Sequence, residues 1–161
     1  MKNSKSGAGK GKLGKGKGIT LPEVVSVKED DEIWRQHRFD SGTACHVLYE
    51  SISANGEDTV AHTFYINLSN TCLVTEMKYH KVDHRILEAK FKYGNVLLGL
   101  AMLHDDENNK EKRNGQEDKT SVQDRIRLVT SAVSPVLLPM IDQLSGLSAD
   151  ELESFGMMDG E

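Results

Sequence analysis

The residues closest to chemical machinery in this sequence are glycines, lysines and histidines. Gly9, Gly11 and Gly14 fit a dinucleotide fingerprint, and Gly9, Gly14 and Lys15 fit most of a phosphate-binding loop. Both chemistries need a strand before the glycines and a helix after them, so that backbone N–H groups converge on phosphate. Residues 1–8 do not read as a strand, and Gly16 stands where a Ser or Thr should hold magnesium. A glycine-rich stretch generates such matches by composition alone.

Metal chemistry would start from His80 and His84, four residues apart and able to share a helical turn. A zinc site needs at least one more ligand, and no Glu follows His80 as a metalloprotease motif requires. His37, His46 and His62 fall in or beside segments that read as strands. Cys45, His46 and Cys72 can be drawn as a ligand set, but strand alternation sends Cys45 and His46 to opposite faces. Nucleophilic catalysis finds no G-x-S-x-G elbow and no cysteine in a catalytic context. Asp40-Ser41-Gly42 reads as a turn. Asp105 and Asp106 are paired carboxylates in a stretch that reads as loop, where nothing fixes their geometry. The sequence therefore predicts no catalytic residue, no metal ligand and no cofactor, and the chain reads as a non-enzyme.

Charge is the next signal. Residues 1–18 hold six lysines and no acid, whereas the net charge is −5, so residues 19–161 carry −11. A basic arm on an acidic body can bind nucleic acid or an acidic partner. Lys10, Lys12, Lys15 and Lys17 are the candidate contacts. With no arginine or aromatic residue among them, such binding would be electrostatic and blind to sequence.

The elements that would carry these residues follow from pattern. Residues 1–18 are Gly/Lys/Ser-rich and predict a disordered arm. Residues 19–147 read as a single α+β domain, and 148–161 as an acidic tail. An extended segment from Ile19 to Val27 has Pro22, which argues for an edge position. Thr43–Ile52 and Thr59–Leu68 flank Asn55-Gly56 and predict an antiparallel hairpin. Val60, His62, Phe64, Ile66 and Leu68 share one face of its second arm, and Cys45, Val47 and Tyr49 share one face of its first. A further strand is expected around Ile33–Phe39.

From Asp83 to His104 the period becomes helical, with a stripe of Ile86, Ala89, Tyr93, Val96, Leu97, Leu100 and Leu103. Gly94 and Gly99 each cost about 1 kcal/mol against Ala inside a helix, which predicts close approach of a neighbouring element. Residues 105–119 read as an exposed, flexible linker. Thr120 and Gln123 suggest a capping box for a second helix. Pro135 and Pro139 then predict a break after Val133 and a short further helix closing at Gly146. The expected fold is thus a small antiparallel sheet packed on two C-terminal helical segments.

No apolar stretch is long enough to cross a bilayer, and the lysines at the start have no apolar region behind them. A cytoplasmic setting is the expectation, with Cys45 and Cys72 reduced. In that setting the Asn67-Leu68-Ser69 glycosylation pattern carries no meaning.

Several segments also resemble a known family. They are KGITLPEV (17–24), WRQHRFDSGTACHV (34–47), FYINLSNTCLVTEMK (64–78), LEAKFKYGNVLLGLAMLH (87–104) and VSPVLLPMIDQL (133–144). Together they are similar to the region after the ATPase domain in bacterial proteins of the gyrase, Hsp90, histidine-kinase and MutL (GHKL) superfamily. That superfamily's magnesium-binding helix Asn and Asp-x-Gly-x-Gly adenine loop do not occur here, so no functional residue carries over. The resemblance implies a freestanding non-catalytic module that packs on, or regulates, a separately encoded ATP-binding partner. The expected function is a non-enzymatic interaction module, an accessory subunit with a protein partner and a potential homodimer face. The alternative is a nucleic-acid-associated protein working through its arm.

Overall fold

The computed structural model describes residues 21–54, 57–110 and 120–145. The predicted arm (1–18), the acidic tail (148–161) and the closing Gly146 lie outside them.

The fold is α+β. Three strands, β1 (Glu23–Val27), β2 (Cys45–Ala54) and β3 (Glu57–Asn67), form one sheet with β3 in the middle. The hairpin follows from its alternation. β2 and β3 pair antiparallel from Cys45↔Ile66 to Ala54↔Glu57, leaving Asn55 and Gly56 between the arms. β1 adds to the other side of β3 in parallel, with Val24 beside Phe64. It is an edge strand, as Pro22 requires.

The expected strand at Ile33–Phe39 is instead a short helix, α1 (Glu32–Gln36). The acidic run before it explains the difference. Asp31 accepts from the backbone N–H of Lys28 at 2.6 Å, and Glu32 opens the first turn where negative charge is favoured. The chain leaves α1 through Arg38, whose φ of 51° is left-handed.

Helix α2 (Thr71–Tyr79) follows β3 at once, capped by Asn70, whose side chain accepts from Cys72 N–H at 2.9 Å. Helix α3 (His84–Lys110) runs past the expected stop at His104. The first part of the predicted linker 105–119 is therefore helical, and residues 111–119 lie outside the described residues. Two i,i+4 bonds, Asn108 to His104 and Asn109 to Asp105, support the added turns, and Arg125 holds Asp106 at 2.5 Å.

Helix α4 (Val122–Ser145) is continuous through both prolines, which corrects the predicted break after Val133. Pro135 and Pro139 are both exposed, so their rings stand on the water side of the helix and out of the core. Its cap also differs from the expected Thr120–Gln123 box. Ser121 accepts from Asp124 N–H at 3.1 Å and donates to the Asp124 carboxylate at 2.7 Å.

The three long helices cover one sheet face. Cys45, Val47, Phe64 and Ile66 meet Leu73 of α2, Leu87, Phe91, Val96 and Leu103 of α3, and Ile126, Leu137 and Leu138 of α4. Each fully buried large apolar side chain contributes about 1.5–3 kcal/mol. α3 and α4 run antiparallel, tied at opposite ends by Lys90–Asp142 (2.5 Å) and Arg125–Asp106. Both helical glycines sit at close approaches, as their cost predicts. A Cβ on Gly94 would lie 3.1 Å from Leu137, and one on Gly99 would lie 2.4 Å from the Phe64 ring.

Candidate interaction face

Each chemical candidate has a definite place in this frame. His80 caps α2 and pairs with Glu76 at 2.8 Å, while His84 opens α3 with its Nε2 3.1 Å from the Met77 carbonyl. The two are committed to different backbone ends and do not converge. Among the described residues, no group of three or more His, Cys, Asp or Glu side chains could hold a metal ion.

The two cysteines are free. Cys45 lies in the core, where burial pushes its thiol up to about 12. Cys72 is half-buried, its thiol raised by burial and then by the Glu76 carboxylate. Both shifts disfavour the thiolate that nucleophilic chemistry needs. Asp105 is exposed, and Asp106 is engaged by Arg125. Lys10, Lys12, Lys15 and Lys17, like the Gly9–Lys15 patterns, lie outside the described residues.

The alternation places Cys45 and His46 on opposite faces, as expected. His46 belongs to a ring cluster on the second sheet face, which sequence reasoning missed. His37 lies 5.2 Å from the His46 ring and 4.7 Å from the Tyr65 ring, and Phe39 stacks on Trp34 at 5.7 Å. Phe39 also meets His46 edge-on. Burial, then the positive charges of His37 and Arg127, hold His46 below the usual imidazole range, against a weaker upward pull from Asp124. Its Nδ1 is buried with no hydrogen-bond partner. The available signal was the clustering of Trp34, His37 and Phe39 within six residues, which fits a helical turn better than a strand.

Arg127 of α4 locks this cluster in place. Its guanidinium donates to the carbonyls of His37 (3.0 Å) and Arg38, and lies over the Phe39 ring. Asp40 closes the turn by accepting from Gly42 N–H (2.9 Å), Thr43 N–H (2.7 Å) and the Thr43 hydroxyl (2.9 Å). Those bonds hold its carboxyl below the ordinary carboxylate range. Asn67, fully buried, donates to the carbonyls of Asp40 (3.0 Å) and Thr43 (2.6 Å) and accepts from Ser69 N–H (2.8 Å). An Asn so engaged cannot accept a glycan. The arrangement is a structural knot, with its polar groups spent on the backbone.

A recess of about 370 Å³ lies between the sheet and the α3–α4 ends, lined in part by Tyr49, His62, Leu103 and Val122. His62 and Tyr49 are cross-strand partners there.

The remaining feature is apolar. On α3, Tyr93 and Leu97 are 57% and 68% exposed, and they flank Gly94. On α4, Val136 and Met140 are 54% and 57% exposed, and they flank Leu137 and Ile141, which close over Gly94. Leu144 continues the α4 stripe at 65%. Helical period turns these residues away from the sheet and onto one outer side of the helix pair. Single exposed apolar residues need no explanation, and here five of them lie at helical spacing on the two helices.

This small mixed sheet, with α2, α3 and α4 on one face and α1 beside the other, defines an α+β domain. Compared with known proteins, the chain matches no family model, no curated protein and no solved structure. Among the described residues, no helix is long and apolar enough to cross a membrane.

Proposed function

We propose that this chain is a non-enzymatic protein-interaction module, an accessory subunit of a larger cytoplasmic assembly that includes an ATP-binding protein. The observation that carries the reading is the outer α3–α4 face, where Tyr93, Leu97, Val136, Met140 and Leu144 are all more than half exposed. The polar groups do not compete with it. His80, His84, Asp40, Asn67, Asp106 and Arg127 are each engaged within the chain. The likeness of several segments to the region following a GHKL ATPase domain supports an ATP-binding partner.

The test compares the wild type with Leu97→Glu/Met140→Glu in affinity purification from the native cell. Both positions are exposed, so each change should alter stability by no more than about 0.5 kcal/mol. The wild type should retain an ATP-binding protein that the variant loses at unchanged circular dichroism. Equal recovery by both, or recovery of none, refutes the reading.

A second reading rests on the charge contrast between residues 1–18 and the rest of the chain. If Lys10, Lys12, Lys15 and Lys17 bind nucleic acid, deleting residues 1–18 should abolish retention on DNA or RNA. Retention that survives the deletion defeats it.

A further inference from the structure

Resting on the reading of the outer helical face as an interaction surface, we propose that in the free chain, away from its ATP-binding partner, the occupant of this face is a second copy of this chain. Tyr93, Leu97, Val136, Met140 and Leu144 would pack on their own counterparts across a two-fold axis.

Charge is the first argument. In an isologous contact every residue meets the same surface, so a charge near the axis faces its own copy. Such like-charge juxtaposition is strongly unfavourable. The outer stripe carries one charge, Lys90 between Ile86 and Tyr93, and the Lys92 ammonium reaches over the Tyr93 ring at its edge. On α3 the positions are Ile86, Tyr93, Leu97 and Leu100, and on α4 they are Val129, Val133, Val136, Met140 and Leu144. Asp142 neutralises Lys90 within the chain at 2.5 Å, so the stripe presents no net charge to its own copy.

Architecture is the second. α3 and α4 are an antiparallel pair fastened at both ends, and one copy placed on another through this side yields a four-helix arrangement with a common apolar layer.

Area is the third. A large apolar residue presents on the order of 150–250 Å². With more than half of each of five such residues exposed, one face offers roughly 500–600 Å², and two faces together about 1,000–1,200 Å². That falls among weak, transient interfaces, just below the range of stable ones, so the dimer should be reversible rather than obligate. Net charge of −5 on each copy makes association tighter as salt rises.

Sedimentation velocity on the full chain between about 1 and 100 µM tests this, a range suited to an interface at the small end of the scale. The wild type should move from the monomer mass of 17.9 kDa towards twice that value, and more readily in high salt. Leu97→Glu/Met140→Glu should stay monomeric throughout, with unchanged circular dichroism. Leu128→Glu is the control. Leu128 is 70% exposed on α4 but lies on another side of the helix, so its variant should dimerise like the wild type. A wild type monomeric at every concentration overturns the second copy as occupant. That result leaves the partner reading standing, since that reading fails only if wild type and Leu97→Glu/Met140→Glu recover the ATP-binding protein equally or neither recovers one. A dimer that survives Leu97→Glu/Met140→Glu, or one that Leu128→Glu abolishes equally, overturns the assignment to this face.

Discussion

Replacing Gly99 with Ala adds one methyl group and tests whether α3 truly rests on the sheet through that position. The new Cβ would stand 2.4 Å from Cε1 of Phe64 and 3.1 Å from its Cζ. Carbon atoms prefer about 3.5–4.0 Å, so the overlap exceeds roughly 1 Å. Phe64 cannot easily yield. It is fully buried, flanked by Val47 on one side and Val24 on the other. Overpacking of this kind costs about 1–3 kcal/mol, and an overlap this large belongs at the upper end. Ala gains back about 1 kcal/mol in helix propensity. The net loss should be about 2 kcal/mol, which lowers Tm by roughly 5–12 °C for a domain of this size.

Gly94→Ala supplies the contrast. There the new methyl meets Leu137 and Ile141 methyl groups at 3.1–3.3 Å, the far ends of flexible side chains that can rotate. The propensity gain should roughly offset the repacking, leaving Tm within about 3 °C of the wild type. Calorimetry on both variants, with Phe64→Leu alone and combined with Gly99→Ala, completes a double-mutant cycle. Phe64→Leu should cost less in the Gly99→Ala background, with a coupling of about 0.5 kcal/mol or more. A Gly99→Ala variant as stable as the wild type, or strict additivity in the cycle, refutes the contact.

Two further outcomes follow from the second sheet face and the knot beside it. Because His46 is held below its unfolded value, the unfolded chain binds the extra proton. The stability His46 contributes is therefore complete above the usual imidazole pKa of about 6.5 and falls as pH drops below it. Urea unfolding should show this acid-side loss in the wild type and a flatter profile in His46→Gln, and identical profiles would contradict it. Asn67→Asp should destabilise by about 2–3 kcal/mol, because a carboxylate cannot donate to the Asp40 and Thr43 carbonyls and is forced against them. A urea midpoint unchanged from wild type would show that these two bonds do not hold the turn.

The parts of the fold legible in the sequence were those set by local period. Val60–Leu68 alternates strictly, and Asn55-Gly56 leaves the chain one economical way to reverse, so the hairpin and its buried face were readable. Pro22 marked an edge, and Gly94 and Gly99 marked close approaches. What local pattern could not show depended on partners far away in sequence. Ile33–Phe39 has the apolar content of a strand, but His46, Tyr65 and Arg127 hold His37 and Phe39 from other elements. Residues 105–110 read as linker because runs of charge usually stay in solvent, yet Asp106 finds Arg125 nineteen residues on. Pro135 and Pro139 predict a break by local pattern, yet both are exposed, and exposure is a tertiary fact. Helix α2 was overlooked because its single fully buried residue, Leu73, gives almost no period. Of the candidate face, the apolar width of both helices was visible. Which flank stays open was not, because that depends on how α3 crosses α4.

That open flank is what folding leaves unexplained. Leu87, Phe91, Ile126 and Leu138 must be apolar, since each is sealed in the core. Tyr93, Leu97, Val136 and Met140 face no such demand. On an isolated monomer, Lys or Glu there would serve helix formation at least as well as Tyr or Val, and would raise solubility. The polar residues show the opposite pattern, because Asn67, Asn70, Thr130 and Ser134 are buried and spend their hydrogen bonds on the chain's own backbone. Groups that could do chemistry are thus turned inward to hold the fold together. Groups that could have sealed a core are turned outward, which is what the proposed docking role would use.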